Sequence, residues 1–153
     1  MFMIRYSFKS SFGNTSLFSK NNKIIKILID SDVFYQDEPN EVLLLAQKEI
    51  EEYFSNKRTE FSFPIEIEGT EFFKDVLLTM KRIPFGKTWS YSDLAINSGH
   101  PKAIRAVGTV CKNNPLPLII PCHRVVKKGG DIGQFNGGVD MKKALLKIEK
   151  VFF

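Results

Sequence analysis

Cys122 and His123 stand side by side in Ile119-Ile120-Pro121-Cys122-His123-Arg124-Val125-Val126. They are the residues most able to do chemistry in this chain. A proline fixes the backbone just before the thiol. Apolar, mostly β-branched residues on both sides read as short buried strands. A thiol held beside a base and a permanent cation is a candidate nucleophile. A free thiol with pKa ~8.5 is mostly un-ionised at neutral pH. Each unit of depression requires about 1.4 kcal/mol of preference for the anion. An imidazole that takes the proton supplies part of this, and a carboxylate on the far ring nitrogen then stabilises the imidazolium. On residue type alone, the alternative for Cys122 is a buried structural thiol.

The other cysteine is Cys111 and the other histidine His100. No C-x-x-C or H-x-x-x-H spacing joins them, so no metal is expected. Two cysteines do not make a disulfide framework, which points to a reducing, intracellular setting. The glycine-rich stretch Ile132–Gly138 lacks the arrangement of a phosphate-binding loop.

The elements that must position Cys122 come from 153 residues, 43% hydrophobic and 25% charged, enough for one ordinary domain or two small ones. No apolar run is long enough to span a bilayer. Met1–Tyr6 reads as a first strand, not a signal peptide. Residues 1–64 carry 8 Lys and Arg against 9 Asp and Glu; residues 65–153 carry 14 against 8. The excess of positive charge thus lies in the half that holds Cys122, a weak pointer to nucleic acid by itself.

In chain order, residues 2–8 and 23–30 read as strands, with 10–22 as a polar turn or hairpin region. A helix is expected over about 40–54, with Leu43, Ala46, Ile50 and Phe54 on its apolar face and Glu49, Glu51 and Glu52 toward water. Residues 55–60 make the best linker, and 61–68 read as extended. Thr70 is an N-cap for a helix that ends near Pro84 and Gly86. Ser90 and Asp93 approach a capping box. They open a short helix to about Asn97, closed by Gly99. Pro101 suits the first turn of a second helix reaching Lys112. Two short helices joined by a tight turn are a helix-turn-helix pattern. Lys102, Arg105, Thr109 and Lys112 form a basic, polar stripe on the second helix, with slim Ala106 and Gly108 beside it. A solvated face on an ordinary helix hairpin is the plain alternative. Asn114 precedes a proline in a rigid loop leading to the cysteine. A last helix is expected over about 139–150, with Met141, Leu145 and Ile148 inward.

Taken together, the chain resembles the O6-alkylguanine-DNA alkyltransferase family. The matching residues are Pro121-Cys122-His123-Arg124-Val125-Val126, Arg105-Ala106-Val107-Gly108, Asn114-Pro115, Ser90-Tyr91, Ile83-Pro84-Phe85-Gly86 and Gly137-Gly138. They span about residues 61–151. The resemblance implies an α/β (α+β) fold. A small ribonuclease-H-like strand-and-helix lobe, 1–60, precedes a mainly helical, winged-helix-like lobe, 61–153, that binds DNA and transfers the alkyl group. It implies direct-reversal repair, in which an alkyl group passes irreversibly from O6 of guanine, with O4 of thymine as a second candidate, to Cys122. The nucleotide is first flipped from double-stranded DNA. No cofactor is implied, and the protein is expected to be an intracellular, membrane-free monomer with access to DNA.

The roles implied by the resemblance are these. His123 acts as general base through a water, held by Glu149. Asn114 braces the turn that carries the cysteine. Tyr91 rotates a phosphate and donates a proton toward the departing guanine. Arg105 fills the gap left by the flipped nucleotide. Lys102, Ala106, Thr109, Tyr91 and Arg124 are the further candidate DNA contacts, although Arg124 also suits a structural pairing with a nearby carboxylate or carbonyl. Pro117, Val125, Gly133, Phe135 and Asn136 are candidates to line the guanine pocket. Thr109 and Val110 depart from the small residues usual in the family. The zinc that some members hold through N-terminal Cys and His has no ligands here, since neither type occurs in the first sixty residues. A non-catalytic lesion-binding relative would carry another residue at the cysteine. A Cys-His-Glu hydrolase would need an oxyanion hole, for which no motif is visible.

Overall fold

The computed structural model describes residues 2–153. The chain forms two compact units, Met1–Ile67 and Glu68–Phe153.

The first unit is an antiparallel meander, β1 (Ile4–Ser10), β2 (Gly13–Lys20) and β3 (Lys23–Leu28), with helix α1 (Glu41–Phe54) packed on it. The middle strand lies where the sequence suggested a polar turn or hairpin region. Its Thr15, Ser16 and Ser19 are fully buried, and Ser16 shares a 2.7 Å hydrogen bond with Ser7 on β1. Hydroxyls that pair with one another can enter a core, so a strand built on them has no apolar alternation to betray it. α1 is capped by Asn40, whose side chain accepts from the Leu43 N–H. It buries Val42, Leu43, Ala46, Ile50 and Tyr53. Glu49, expected to face water, is buried instead. Its carboxylate accepts from the Ser62 N–H at 2.7 Å and from the Ser62 hydroxyl, and lies 3.7 Å from Arg58.

That clasp bears on where the first unit ends. Ile24 donates to the Pro64 carbonyl at 2.9 Å, and the Glu66 N–H donates back to Ile24 at 3.0 Å. Residues 61–67 therefore run beside β3 and belong with the first unit, seven residues beyond the boundary drawn at the polar stretch 55–60. They pair only through an isolated bridge, Ile24 with Ile65.

In the second unit, α2 (Glu71–Met80) packs on α3 (Tyr91–Asn97) and α4 (Ile104–Lys112). Thr70 caps α2 through the Phe73 N–H at 3.1 Å. Ser90 and Asp93 form a full capping box at α3. Gly99, at φ 84°, makes the left-handed turn that ends α3. The second helix of the pair starts at Ile104, three residues after Pro101, because 101–103 form a turn in which Ala103 N–H donates to His100 O at 2.9 Å. β4 (Trp89–Ser90) runs parallel to β5 (Val125–Val126), and α5 (Val139–Ile148) packs on the turn Cys122–Arg124. α5 is rotated from the expected register. Its inward residues are Lys142, Leu145, Leu146 and, just past its end, Glu149. The two charged members of that stripe hid it from a search for apolar periodicity.

Replacing Glu49 by Ala removes the acceptor shared by the Ser62 N–H and hydroxyl, which on exposed Ser62 can turn to water instead. We expect a loss of about 0.5–1.5 kcal/mol, read from urea unfolding; a change below a few tenths would show that the clasp contributes nothing.

Candidate active site

The site assembles on a turn just before β5. Cys122 N–H donates to Ile120 O at 2.8 Å. Pro121, at φ −81° and ψ 69°, thus makes an inverse γ-turn that delivers the cysteine into a single 3-10 turn, Cys122–Arg124. Asn114 lies across this turn. Its Nδ2 donates to Ile120 O at 2.8 Å and its Oδ1 accepts from the Leu116 N–H at 3.0 Å. The loop between them holds buried Leu118 at φ 78°. A bulky residue in that left-handed region costs about 1–3 kcal/mol and persists only where its surroundings over-determine it.

His123 Nε2 lies 2.7 Å from Glu149 Oε2. The Glu149 carboxylate also accepts from Arg124 Nε at 2.9 Å, from Arg124 Nη2 at 3.0 Å and from the Gly86 N–H at 2.8 Å. Arg124 Nη1 donates to Ile83 O at 2.6 Å. All three side chains are buried. Burial alone would push the Glu149 carboxyl up; the hydrogen bonds from His123 and Arg124 outweigh it and bring the value down to about 2. Ionised Glu149 is an acceptor only, so Nε2 of His123 carries the proton in this pair. Arg124 is committed to Glu149 and Ile83. This corrects its place among the candidate DNA contacts, because a buried guanidinium bound on both edges has no face to offer a phosphate.

The thiol differs from the depressed one that the residue types suggested. Burial pushes Cys122 up, against the opposing pull of Asn114, Lys142 and nearby backbone donors. Burial likewise lowers His123, against the pull of Glu149. The resting pair is therefore a neutral thiol beside a neutral imidazole. Charge has to appear during reaction, not before it.

Lys142 is the site residue that sequence reasoning missed. It is fully buried on α5, and its Nζ donates to Val125 O at 2.6 Å and to Gln134 O at 3.0 Å. It ties β5 to the 132–138 loop. Burial lowers it to about 8, opposed by the charges of Cys122 and Cys111. The signal was available: Lys142, Leu145, Leu146 and Glu149 lie at i, i+3, i+4 and i+7, one helix face.

Among the candidate pocket residues, Val125 and Gly133 are buried, Pro117 and Phe135 half-buried, and Asn136 exposed, donating to Lys112 O. A Cβ on Gly133 would stand 3.5 Å from both Lys142 Nζ and Tyr91 Oη, so these two polar ends face one small space. Gly133 keeps that space open and holds φ 77°. Tyr91 is half-buried, and its hydroxyl is raised by burial and by the neighbouring thiols, so at neutral pH it is protonated and can donate. Lys102, Arg105, Ala106, Thr109 and Lys112 are all exposed, while Val107, Val110 and Cys111 on the same stretch are buried. The stripe on α4 is thus open to solvent, although the Thr109 hydroxyl bonds back to Arg105 O at 3.2 Å.

Comparison with known proteins follows this division of the chain. Residues 3–67 match the 6-O-methylguanine DNA methyltransferase, ribonuclease-like domain, and residues 71–151 the 6-O-methylguanine DNA methyltransferase, DNA binding domain. The methylated-DNA–protein-cysteine methyltransferase of Methanosarcina acetivorans is 36% identical over 135 residues, covering 86% of this chain and 81% of its own. The constitutive one of Bacillus subtilis is 39% identical over 120 residues, 78% of this chain and 72% of its own. The crystal structure of the O6-methylguanine methyltransferase of Mycobacterium tuberculosis superposes with a TM-score of 0.88 at 29% identity, covering 97% of this chain and 93% of that one. A structure of the Mycobacterium tuberculosis protein in complex with DNA superposes at 0.85 with 30% identity, covering 95% and 92%.

Two predictions follow from the charges. Glu149→Gln leaves Arg124 buried with its charge uncompensated, which should cost about 3–5 kcal/mol in urea unfolding. Native Glu149 is held below its unfolded value of ~4.3, so its contribution is present above that pH. The contribution is lost as pH falls toward about 2. The difference in stability between the native chain and Glu149→Gln should shrink over that window; a gap independent of pH would contradict the assignment. For Lys142 the sign is opposite. Its buried charge is disfavoured below about 8, and the penalty is relieved as pH rises from there toward the unfolded value of ~10.4. The native chain should gain stability relative to Lys142→Met over that interval, and no gain would mean the ammonium is not desolvated.

Proposed function

We propose, since the chain belongs to the 6-O-methylguanine DNA methyltransferase family, that it repairs alkylated DNA by taking the alkyl group from O6 of guanine onto Cys122 in one irreversible transfer. The observation that carries this reading is the Cys122 thiol on a braced turn, next to an imidazole whose far nitrogen is held by a buried, ionised carboxylate. The relatives' printed activity is methyl transfer from DNA to a protein cysteine, and a thiol that ends as a thioether suits a one-use acceptor.

The steps divide among residues as follows. As the Cys122 sulfur attacks the alkyl carbon, its proton passes, through a water, to His123. With Nε2 committed to Glu149, Nδ1 is the accepting nitrogen. The imidazolium then lies against a carboxylate that stays ionised at any physiological pH. This removes much of the burial penalty at the moment charge develops. Asn114 and Lys142 lower the cost of negative charge on sulfur. The C–O6 bond breaks and the guanine leaves, taking a proton from the Tyr91 hydroxyl. The product is a thioether, which no group here can cleave, so the protein acts once.

O6 of a stacked guanine is out of reach of a buried thiol, and extrusion costs a few kcal/mol, least for a damaged base. The solvent-facing stripe of α4 and the turn before it suit the duplex: Lys102 in the turn for phosphates, Ala106 for close approach and Arg105 to fill the vacated stack. Thr109 stands in the same stripe. Val125, Gly133, Phe135, Asn136 and Pro117 are assigned to the walls of the base pocket. The 132–138 loop is held to β5 by Lys142. The substrate is double-stranded DNA bearing O6-alkylguanine, met by a monomer inside the cell. Among the described residues no helix is long and apolar enough to cross a membrane.

Incubation with duplex DNA carrying O6-methylguanine should add one methyl mass to the peptide holding Cys122. An unmodified peptide after complete exposure would sink the reading, and repeated turnover on an ester or amide would favour a hydrolase instead. Cys122→Ala should abolish transfer and keep DNA binding. Arg105→Ala should slow reaction with duplex DNA more than with free O6-methylguanine; equal slowing would remove the base-extrusion role. DNA affinity should fall as salt rises.

A further inference from the structure

We propose that Lys127 is a phosphate-positioning residue: its ammonium holds a phosphodiester that flanks the extruded nucleotide, at the rim of the space that Gly133 keeps open. The role rests on the alkyl-transfer reading, and the steps given for that transfer make no use of Lys127. A Cβ placed on Gly133 would stand 3.5 Å from each of Tyr91 Oη, Lys142 Nζ and Lys127 Cγ. Side chains from the start of α3, from the inner face of α5 and from the residue that follows β5 therefore converge on one spot. They differ in where their polar ends can go. Lys142 is fully buried, and its Nζ is committed to Val125 O and Gln134 O. Tyr91 is half-buried. Lys127 is exposed, so its stem passes beside Gly133 and the rest of the side chain carries the ammonium toward solvent. Its backbone is fixed, because its N–H donates to Asp131 O at 2.9 Å. Among the described residues no carboxylate pairs with its ammonium.

A base within reach of a buried thiol is joined to its own phosphates through one sugar. Seating the base therefore brings a phosphate to the rim of the same space. Extrusion takes that phosphate off the regular backbone path, and it needs a counter-charge where it arrives. The cations already assigned do not supply it. Arg105 fills the vacated stack, Lys102 serves the duplex from the turn before α4, and Lys142 is held inside the fold by carbonyls. Lys127 meets the requirement, being a compact charge on a flexible stem, fixed at its base and free at its tip. A contact made only after extrusion speeds reaction from bound DNA and leaves the affinity for undamaged DNA unchanged. That split separates a site for one phosphate from a general attraction between a basic surface and a polyanion.

Single-turnover methyl transfer at saturating duplex is compared for the native chain, Lys127→Met, Lys127→Arg and Lys128→Met. Methionine keeps the stem beside Gly133 and removes the charge. Lys127→Met should slow transfer from duplex DNA roughly tenfold. Its affinity for undamaged duplex and its reaction with free O6-methylguanine should stay within about twofold of native. Lys127→Arg should restore most of the rate, and Lys128→Met, the same charge change on the same turn, should leave it unaltered. Replacing one of the two phosphates beside the lesion by an uncharged methylphosphonate should slow the native chain by the same factor and Lys127→Met no further. Equal slowing by the Lys127 and Lys128 substitutions, or equal slowing on the free base, overturns the proposal. So does a methylphosphonate effect that is absent at both positions or undiminished in Lys127→Met. The cycle is also read by binding in a Cys122→Ala background, as preference for lesion-bearing over undamaged duplex. A preference that depends on Lys127, in a chain whose native form never accepts methyl, would keep this inference and defeat the alkyl-transfer reading. Methyl transfer indifferent to Lys127 would do the reverse.

Discussion

The carboxylate of Glu149 holds together three stretches that are distant in sequence. It accepts from Gly86 after α2, from His123 and Arg124 on the cysteine turn, and it stands itself at the end of α5. Arg124 extends the tie to the Ile83 carbonyl. Charges this deeply buried persist only when every donor and acceptor finds a partner. The geometry of the whole group is therefore narrow, and the position of Cys122 is inherited from it. The carboxylate cannot swing away from the imidazole without unpairing the guanidinium as well.

The same low-dielectric setting explains why the resting site is electrically quiet. Burial disfavours both a thiolate on Cys122 and an imidazolium on His123. A thiol that were permanently ionised would meet any electrophile or oxidant. A neutral pair that ionises only as the sulfur attacks confines reactivity to a substrate seated in the site. The carboxylate, already ionised, needs no reorganisation at that moment, which is the property that makes preorganised charge effective. Lys142 adds a second fixed charge, and because it is tied to backbone carbonyls on β5 and on the 132–138 loop, the loop and the cysteine segment are linked.

The first unit shows the same rule without any chemistry. Its buried Ser7–Ser16 pair and the Glu49 clasp on Ser62 are polar groups admitted to a core because each is satisfied. That unit was read as strand and helix, and so it is, but its middle strand escaped notice because hydroxylic Thr15, Ser16 and Ser19 are buried with Leu17 and Phe18 and leave no apolar alternation. Its end was also drawn too early, since the polar stretch 55–60 looks like a linker and the return of 61–67 alongside β3 leaves no local mark.

Local chemistry alone determined a good deal. The proline before Cys122, the Thr70 cap, the Ser90–Asp93 capping box and Gly99 specify turns and helix starts through contacts within a few residues, so they are legible in a linear reading. The exposed stripe of α4 is legible for the same reason, being a matter of helical period. What only the tertiary structure decided involves partners far apart in sequence. Arg124 turned inward instead of toward DNA because Glu149, 25 residues away, and Ile83, 41 residues away, meet it there. Lys142 and Glu149 look like solvated charges near opposite ends of a helix. They are buried because the fold supplies carbonyls to one and three donating residues to the other. The direction in which Cys122 and His123 titrate was likewise out of reach of the sequence, since it depends on how much water the fold removes from around them.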